Sequence, residues 1–215
     1  MKGLFITIEG GEGAGKSTII RRLHRQLETD GFDVLATREP GGSPLAERIR
    51  ELILNPEHTE MDVRTEALLY AAARRQHLVE KVIPHIERGG VVLCDRFVDS
   101  SLVYQGAARG IGIAEVRAIN MFATEGLLPD ATLYFDIDPE TGIERITGHK
   151  GREFNRLDRE SLAFHEQVRA AYHSLLETEP ERIRRIDAGK EEDEVFAEAW
   201  TVLSEYLRAK NYQAE

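Results

Sequence analysis

Apolar residues fall along the chain in two alternating rhythms. Short runs, LFITIE (4–9), DVLATR (33–38), VVLCD (91–95), ATLYFDID (131–138) and RIRRID (182–187), have strand length, and most are rich in β-branched and aromatic residues. Longer stretches with helical spacing separate them, at about 16–30, 44–54, 64–88, 99–107, 113–125, 158–178 and 192–209. Asp30-Gly31 and Gly89-Gly90 close two of these helices, and Pro139 is placed to start another. In the 64–88 stretch, Leu68, Leu69, Ala72, Val79, Val82, Ile83 and Ile86 read as one buried stripe. Strand–helix alternation predicts an α/β fold, with a parallel sheet covered by helices on both faces. In such a sheet, ligands gather at the carboxyl ends of the strands. Those ends carry Glu9-Gly10, Arg38-Glu39-Pro40, Asp95-Arg96 and Asp136-Ile137-Asp138. One segment, GHKGREFNRL at 148–157, breaks the rhythm. It is basic and glycine-punctuated, and reads as a flexible excursion.

Composition narrows the class. With 215 residues, 41% hydrophobic and 31% charged, the chain can build a real core, and residues 1–215 read as one domain. No apolar stretch reaches membrane-spanning length, and no secretory signal is evident, so a cytoplasmic location is expected. The single Cys94 excludes an internal disulfide, and its place at the end of a buried strand suggests packing. A net charge of −10 argues against nonspecific binding to nucleic acid or to an anionic membrane.

The sharpest motif is GGEGAGKS, residues 10–17, which matches G-x-x-x-x-G-K-[ST] in full between a strand and a helix. Here Gly10, Gly11, Glu12, Gly13, Ala14, Gly15, Lys16, Ser17 and Thr18 form a loop whose backbone N–H groups can turn inward around phosphate oxygens. The helix N-terminus adds a positive partial charge. Lys16 can reach the β- and γ-phosphates of ATP, and Ser17 can offer an oxygen to Mg²⁺. A guanine-reading motif is missing. Asn155-Arg156-Leu157-Asp158 has Arg where Lys is needed and lies away from any strand end.

A second set of cations lies outside this loop. Arg38 and Arg96 end strands, while Arg50 and Arg74 lie on helices. Guanidinium forks suit phosphate, so the acceptor is expected to be phosphorylated itself. Tyr70 and Arg74 are four residues apart on one helix, an aromatic plane beside a donor, as a nucleobase needs. Ser101, Tyr104 and Gln105 share another helix face. Ordinary core packing is the alternative for both tyrosines.

Taken together, LFITIEGGEGAGKST, TREPGG, LLYAAARRQH, DRFVDSSLVYQG and LYFDIDPE resemble the thymidylate kinases, bacterial P-loop kinases of nucleoside monophosphates. The resemblance covers nearly the whole chain. It implies a five-stranded parallel sheet in the order 2-3-1-4-5, a homodimer, and phosphorylation of dTMP to dTDP by ATP with Mg²⁺. It also implies roles. Tyr70 stands where the family usually stacks a Phe on thymine. Arg74 and Gln105 bond the base, and Tyr104 lies near the sugar C2′. Arg38, Arg50 and Arg96 surround the dTMP phosphate, Glu39 and Pro40 shape the wall, and Asp95 helps hold Mg²⁺. The phosphate loop lacks the arginine that some members carry there. Segment 148–157 then becomes a lid whose Arg152 or Arg156 supplies the transition-state cation. A carboxylate aimed at the triphosphate would repel it, so Glu12 is expected to turn toward the acceptor and, by the resemblance, to accept from the dTMP 3′-hydroxyl. A solvent-facing Glu12 is the alternative. Other readings are a kinase for a different acceptor and a P-loop ATPase that acts on a partner protein.

Overall fold

The computed structural model describes residues 3–148 and 160–209. Five parallel strands form one sheet in the order β2-β3-β1-β4-β5: β1 (Leu4–Gly10), β2 (Val34–Arg38), β3 (Val91–Asp95), β4 (Ala131–Asp136) and β5 (Ile183–Asp187). The expected strand order is therefore met. β1 is buried along its whole length, because it lies in the middle of the sheet with helices on both faces.

Alternation along β1 divides the interior in two. Leu4, Ile6 and Ile8 enter a core completed by α1 (Lys16–Thr29) and α9 (Glu192–Ala209). Phe5 points to the opposite core, shared with Val92, Leu102, Tyr134 and Tyr172 of α8 (Leu162–Thr178). Parallel register then brings the chemistry to one rim. Ile8 pairs with Asp95, Arg38 pairs with Asp95, and Gly10 pairs with Phe135, so β1, β2, β3 and β4 end side by side.

The remaining elements are α2 (Pro44–Leu54), α3 (Val63–His77), α4 (Ile83–Glu87), α5 (Val98–Ser101), α6 (Ile113–Thr124) and α7 (Pro139–Gly148). Two expectations need correcting. The 64–88 stretch is helical throughout, but a π-helical turn at Leu78–Val82 joins α3 to α4. Its buried face is Ala67, Tyr70, Ala71, Arg74, His77 and Leu78, whereas Leu68, Ala72 and Val79 are exposed. The stripe read from apolar spacing was thus wrong in α3. There the inward face is partly polar and satisfied by hydrogen bonds, and the wide turn resets the phase so that Val82 and Ile86 are buried. Second, the fourth strand stops at Asp136. Asp138 instead accepts from the N–H groups of Glu140 (3.2 Å) and Thr141 (3.4 Å) to open α7 at Pro139. The 99–107 helix is α5 followed by a π-helical stretch, Leu102–Ala108.

Candidate active site

The phosphate loop leaves β1 and enters α1. Gly13 has φ 73°, and a Cβ there would meet the carbonyl oxygen of Gly142 at 2.1 Å, so only glycine lets the loop lie against α7. Lys16 folds back on its own loop, donating to the carbonyls of Gly10 (2.9 Å) and Gly11 (2.8 Å). Burial, and then the Arg96 guanidinium, push its ammonium down to about pKa 8. Ser17 Oγ donates to Asp95 Oδ2 at 3.2 Å, while Asp95 Oδ1 is buried without a hydrogen-bond partner among the described residues.

Arg96 follows β3 with φ 69°, a conformation strained for a side-chain-bearing residue. Glu9 holds this turn. Its buried carboxylate accepts from the N–H of Phe97 (2.7 Å) and Ser100 (3.3 Å), from Ser100 Oγ and from Tyr172 OH (2.8 Å). Burial, with Asp99 next, pushes the Glu9 carboxyl up. So fixed, Arg96 donates to Glu12 Oε1 at 2.6 Å, and its guanidinium lies 5.0 Å from the centre of the Tyr104 ring. Glu12 is therefore turned across the cleft to Arg96 and is largely shielded from solvent.

Arg74 is the most enclosed cation. Nε donates to Glu39 Oε2 at 2.7 Å, Nη1 to Ser101 Oγ at 3.1 Å and to Asn120 Oδ1, and Nη2 to Phe97 O at 2.8 Å. Four of its five N–H groups are thereby used, and one Nη2 hydrogen has no partner among the described residues. Tyr70, Arg74, Ser101, Tyr104 and Gln105 line a narrow chamber. Tyr104 OH is buried without a hydrogen-bond partner among the described residues, and burial pushes its pKa up to about 12.

Beside the chamber, and sharing Glu39, Tyr70 and Arg96 with it, lies a cavity of about 1030 Å³, lined also by Glu12, Lys16, Arg38 and Arg50, among others. Arg38 is half exposed and pairs with Glu47 at 3.0 Å, while Arg50 donates to the carbonyl of Pro40 at 3.0 Å. Of the residues singled out from the sequence, Gly13, Gly15, Ser17, Thr18, Glu39, Pro40 and Asp95 also line this cavity, and Arg74, Ser101, Tyr104 and Gln105 line the chamber, whereas Gly10, Gly11 and Ala14 line neither. Arg152 and Arg156 lie outside the described residues, as does Asn155-Arg156-Leu157-Asp158. Asp136 turns elsewhere: burial would raise its pKa, but bonds from Arg169, His173 and Arg185 hold it well below the usual range.

Comparison with known proteins now adds to this geometry. A sequence model of the family described as thymidylate kinase matches residues 8–199. The chain belongs to the thymidylate kinase family. It is 62% identical over 197 residues to the thymidylate kinase of Geobacillus sp. (strain WCH70), covering 92% of this chain and 94% of that one. With the thymidylate kinase of Shouchella clausii (strain KSM-K16) it shares 58% over 206 residues, 96% of this chain and 97% of the relative. Among solved structures, thymidylate kinase from Ehrlichia chaffeensis matches with a TM-score of 0.75 at 29% identity, covering 94% of this chain and 99% of that chain.

Within this thymidylate kinase fold, the cavity continues past the loop to residues that sequence reasoning did not single out. Arg145 of α7 donates to the Ala188 carbonyl at 2.9 Å, and Lys190 and Glu191 line the same end. The available signal was positional, since Ala188 directly follows β5 on the rim where the other strands carry chemistry. Glu39, His77 and Cys94 bring ligand atoms within 4.8 Å of one another. Both Glu39 oxygens and both His77 nitrogens are engaged, however, and burial keeps the Cys94 thiol well above its usual pKa. That cluster is a hydrogen-bonded core, not a metal centre. Among the described residues, no helix is long and apolar enough to cross a membrane.

Proposed function

We propose that the cavity holds ATP and dTMP end to end and transfers the γ-phosphoryl group in line between them. The family's reaction, phosphorylation of dTMP to dTDP by ATP in dTTP synthesis, is this chain's activity. One observation supports the site reading above the others. The donor loop and the acceptor wall share a single cavity, bridged at its waist by the Glu12–Arg96 ion pair.

In this reading the backbone N–H groups of residues 11–17 cradle the triphosphate, and Lys16 leaves its own carbonyls for the phosphate oxygens. Arg96, Arg38 and Arg50 face the dTMP phosphate. Its attacking oxygen is already anionic at neutral pH, so no general base is required. The task is alignment of two anions and neutralisation of their charge. Tyr70 covers the base. The spare Nη2 hydrogen of Arg74 donates to O4, and the Gln105 carbonyl oxygen accepts from N3–H. Tyr104 closes the sugar side, and Glu12 takes the 3′-hydroxyl. The end near Arg145 and Ala188 receives the adenosine of ATP, and Arg152 or Arg156 covers the transferring group. Family members use a divalent metal, and an unpartnered Asp95 oxygen beside Ser17 is the hard donor set that Mg²⁺ takes. Once bound, Mg²⁺ would screen the phosphate oxygens.

A homodimer is the assembly this surface favours. α3 packs against both α2 and α6. Together they expose Leu45, Leu52, Leu68 (56%), Met121 and Phe122 (89%), more apolar side chain than scattered surface residues explain. Sedimentation of the chain as a monomer at micromolar concentration overturns the dimer. Coupled ADP release, with and without dTMP, tests the site: release should depend on dTMP, and equal release without it counts against a two-anion site.

A further inference from the structure

Glu66 has no part in the roles above, yet its carboxylate is buried beneath the base chamber. It sits in the first turn of α3, where the positive end of the helix favours negative charge. Its Oε1 accepts from Gln105 Nε2 at 2.8 Å, and Arg109 Nε stands 3.5 Å from the same oxygen. Arg109 is itself steadied by Glu160 at 2.6 Å and lies 4.9 Å from the centre of the Phe164 ring.

An amide can present either end, and which end it presents follows from its partners. A carboxylate oxygen can only accept, so Gln105 must turn its NH₂ toward Glu66. The amide is planar, so its Oε1 then faces the opposite way. Gln105 lines the chamber, and no described residue donates to that oxygen. The chamber therefore offers an acceptor at Gln105 beside a spare donor at Arg74. A 4-oxo pyrimidine with N3–H complements that pair. A 4-amino pyrimidine reverses both positions, setting donor against donor and acceptor against acceptor.

We propose that Glu66 is the positioning residue for acceptor choice: by locking the Gln105 amide in one orientation, it makes the chamber select 4-oxo over 4-amino pyrimidine nucleotides. This rests on the reading that Gln105 bonds the base. Glu66 touches no nucleotide, and its effect passes entirely through the amide it holds.

The test is equilibrium titration with dTMP and with dCMP, using the wild type, Glu66→Gln, Glu66→Asp and Gln105→Ala. A Gln at 66 can donate as well as accept, which frees Gln105 to turn over. The ratio of dTMP to dCMP affinity should fall about tenfold, the value of one hydrogen bond. Glu66→Asp keeps the charge but withdraws it by one methylene, so the ratio should fall in the same direction and by less. Gln105→Ala should lower the ratio too. If Gln105→Ala lowers the ratio while both Glu66 variants preserve it, or weaken both nucleotides equally, Glu66 is merely structural and the base reading survives. If Gln105→Ala leaves the ratio unchanged, the base reading itself falls and the role of Glu66 with it. Should Glu66→Gln fail to fold, Glu66→Asp gives the same answer.

Discussion

Arg74 on the proposed acceptor wall and Lys16 in the proposed donor loop are both buried cations, yet their surroundings differ in kind. Arg74 meets a carboxylate, a hydroxyl, an amide oxygen and a backbone carbonyl, each at the end of one of its own N–H groups. Among the described residues, Lys16 donates to two carbonyls of its own loop and no others. Burial and the neighbouring Arg96 oppose its charge, which Asp95, Glu12 and Glu9 restore in part. Arg74 is therefore held in place before any ligand arrives, with one N–H to spare. In the proposed reading, the donor loop holds a charge whose best partner is a triphosphate. Preorganisation on one side and stored electrostatic conflict on the other are two ways of preparing a site, and the second sacrifices stability for function.

Substitutions should separate the two. Lys16→Ala removes a cation that burial disfavours, so the fold should be as stable as the wild type or more so. Turnover should fall by roughly 10²–10³-fold or more, as when one preorganised donor to a developing charge is lost. Steady-state kinetics with denaturant unfolding checks both halves, and a variant that loses stability in proportion to activity breaks the contrast. Arg74→Met should instead cost the fold much of its stability. It strands Glu39 beside His77 and leaves the oxygens of Asn120 and Phe97 without their donor, at a cost of about 3–5 kcal/mol. Denaturant unfolding reads this directly. A loss under about 1 kcal/mol would mean that the network does not hold the wall together.

The loop of the proposed donor side is more legible in the sequence than the proposed acceptor wall, for a physical reason. A phosphate loop works through its backbone, and backbone that must turn sharply and approach another chain needs glycine at fixed places. Gly13, pressed against Gly142, is such a place, and the motif is readable without any partner. The strands followed from the apolar runs, and their order from the family resemblance alone. The proposed acceptor wall is built from groups that satisfy one another across α3, α5, α6 and the turns after β2 and β3. Spacing found Tyr70 with Arg74, but not Glu39 and Asn120 as the groups that fix Arg74. The same mutual satisfaction misled the reading of α3. Arg74, His77 and Glu66 are buried there, so apolar spacing alone misses the inward face, and Leu68 and Ala72 of α3, like Val79 of the π-helical turn, face out. Glu66 and Glu9 carry no local motif, because their partners lie 39 and 91 residues away.

The pH dependence of the donor side gives the smallest and most specific expectation. In the free enzyme the Lys16 ammonium titrates near pH 8, against 10.5 for an ordinary lysine. The folded pKa lies below the unfolded one, so the buried charge destabilises the free fold below about pH 8. That penalty is relieved as pH rises from about 8 toward 10.5. In the proposed reading function runs the other way, because the triphosphate needs the ammonium. kcat/KM for ATP should therefore decline above about pH 8, approaching tenfold per pH unit, since this parameter reports the free enzyme. A bound triphosphate stabilises the ammonium and raises its pKa, so kcat should hold to higher pH. The two profiles should separate between pH 8 and 9.5, while the apo-enzyme melting temperature gains or holds across the same range on Lys16's account. If kcat/KM and kcat fall together, the conflict at Lys16 is not relieved by the nucleotide, and the contrast between the donor loop and the acceptor wall loses its basis.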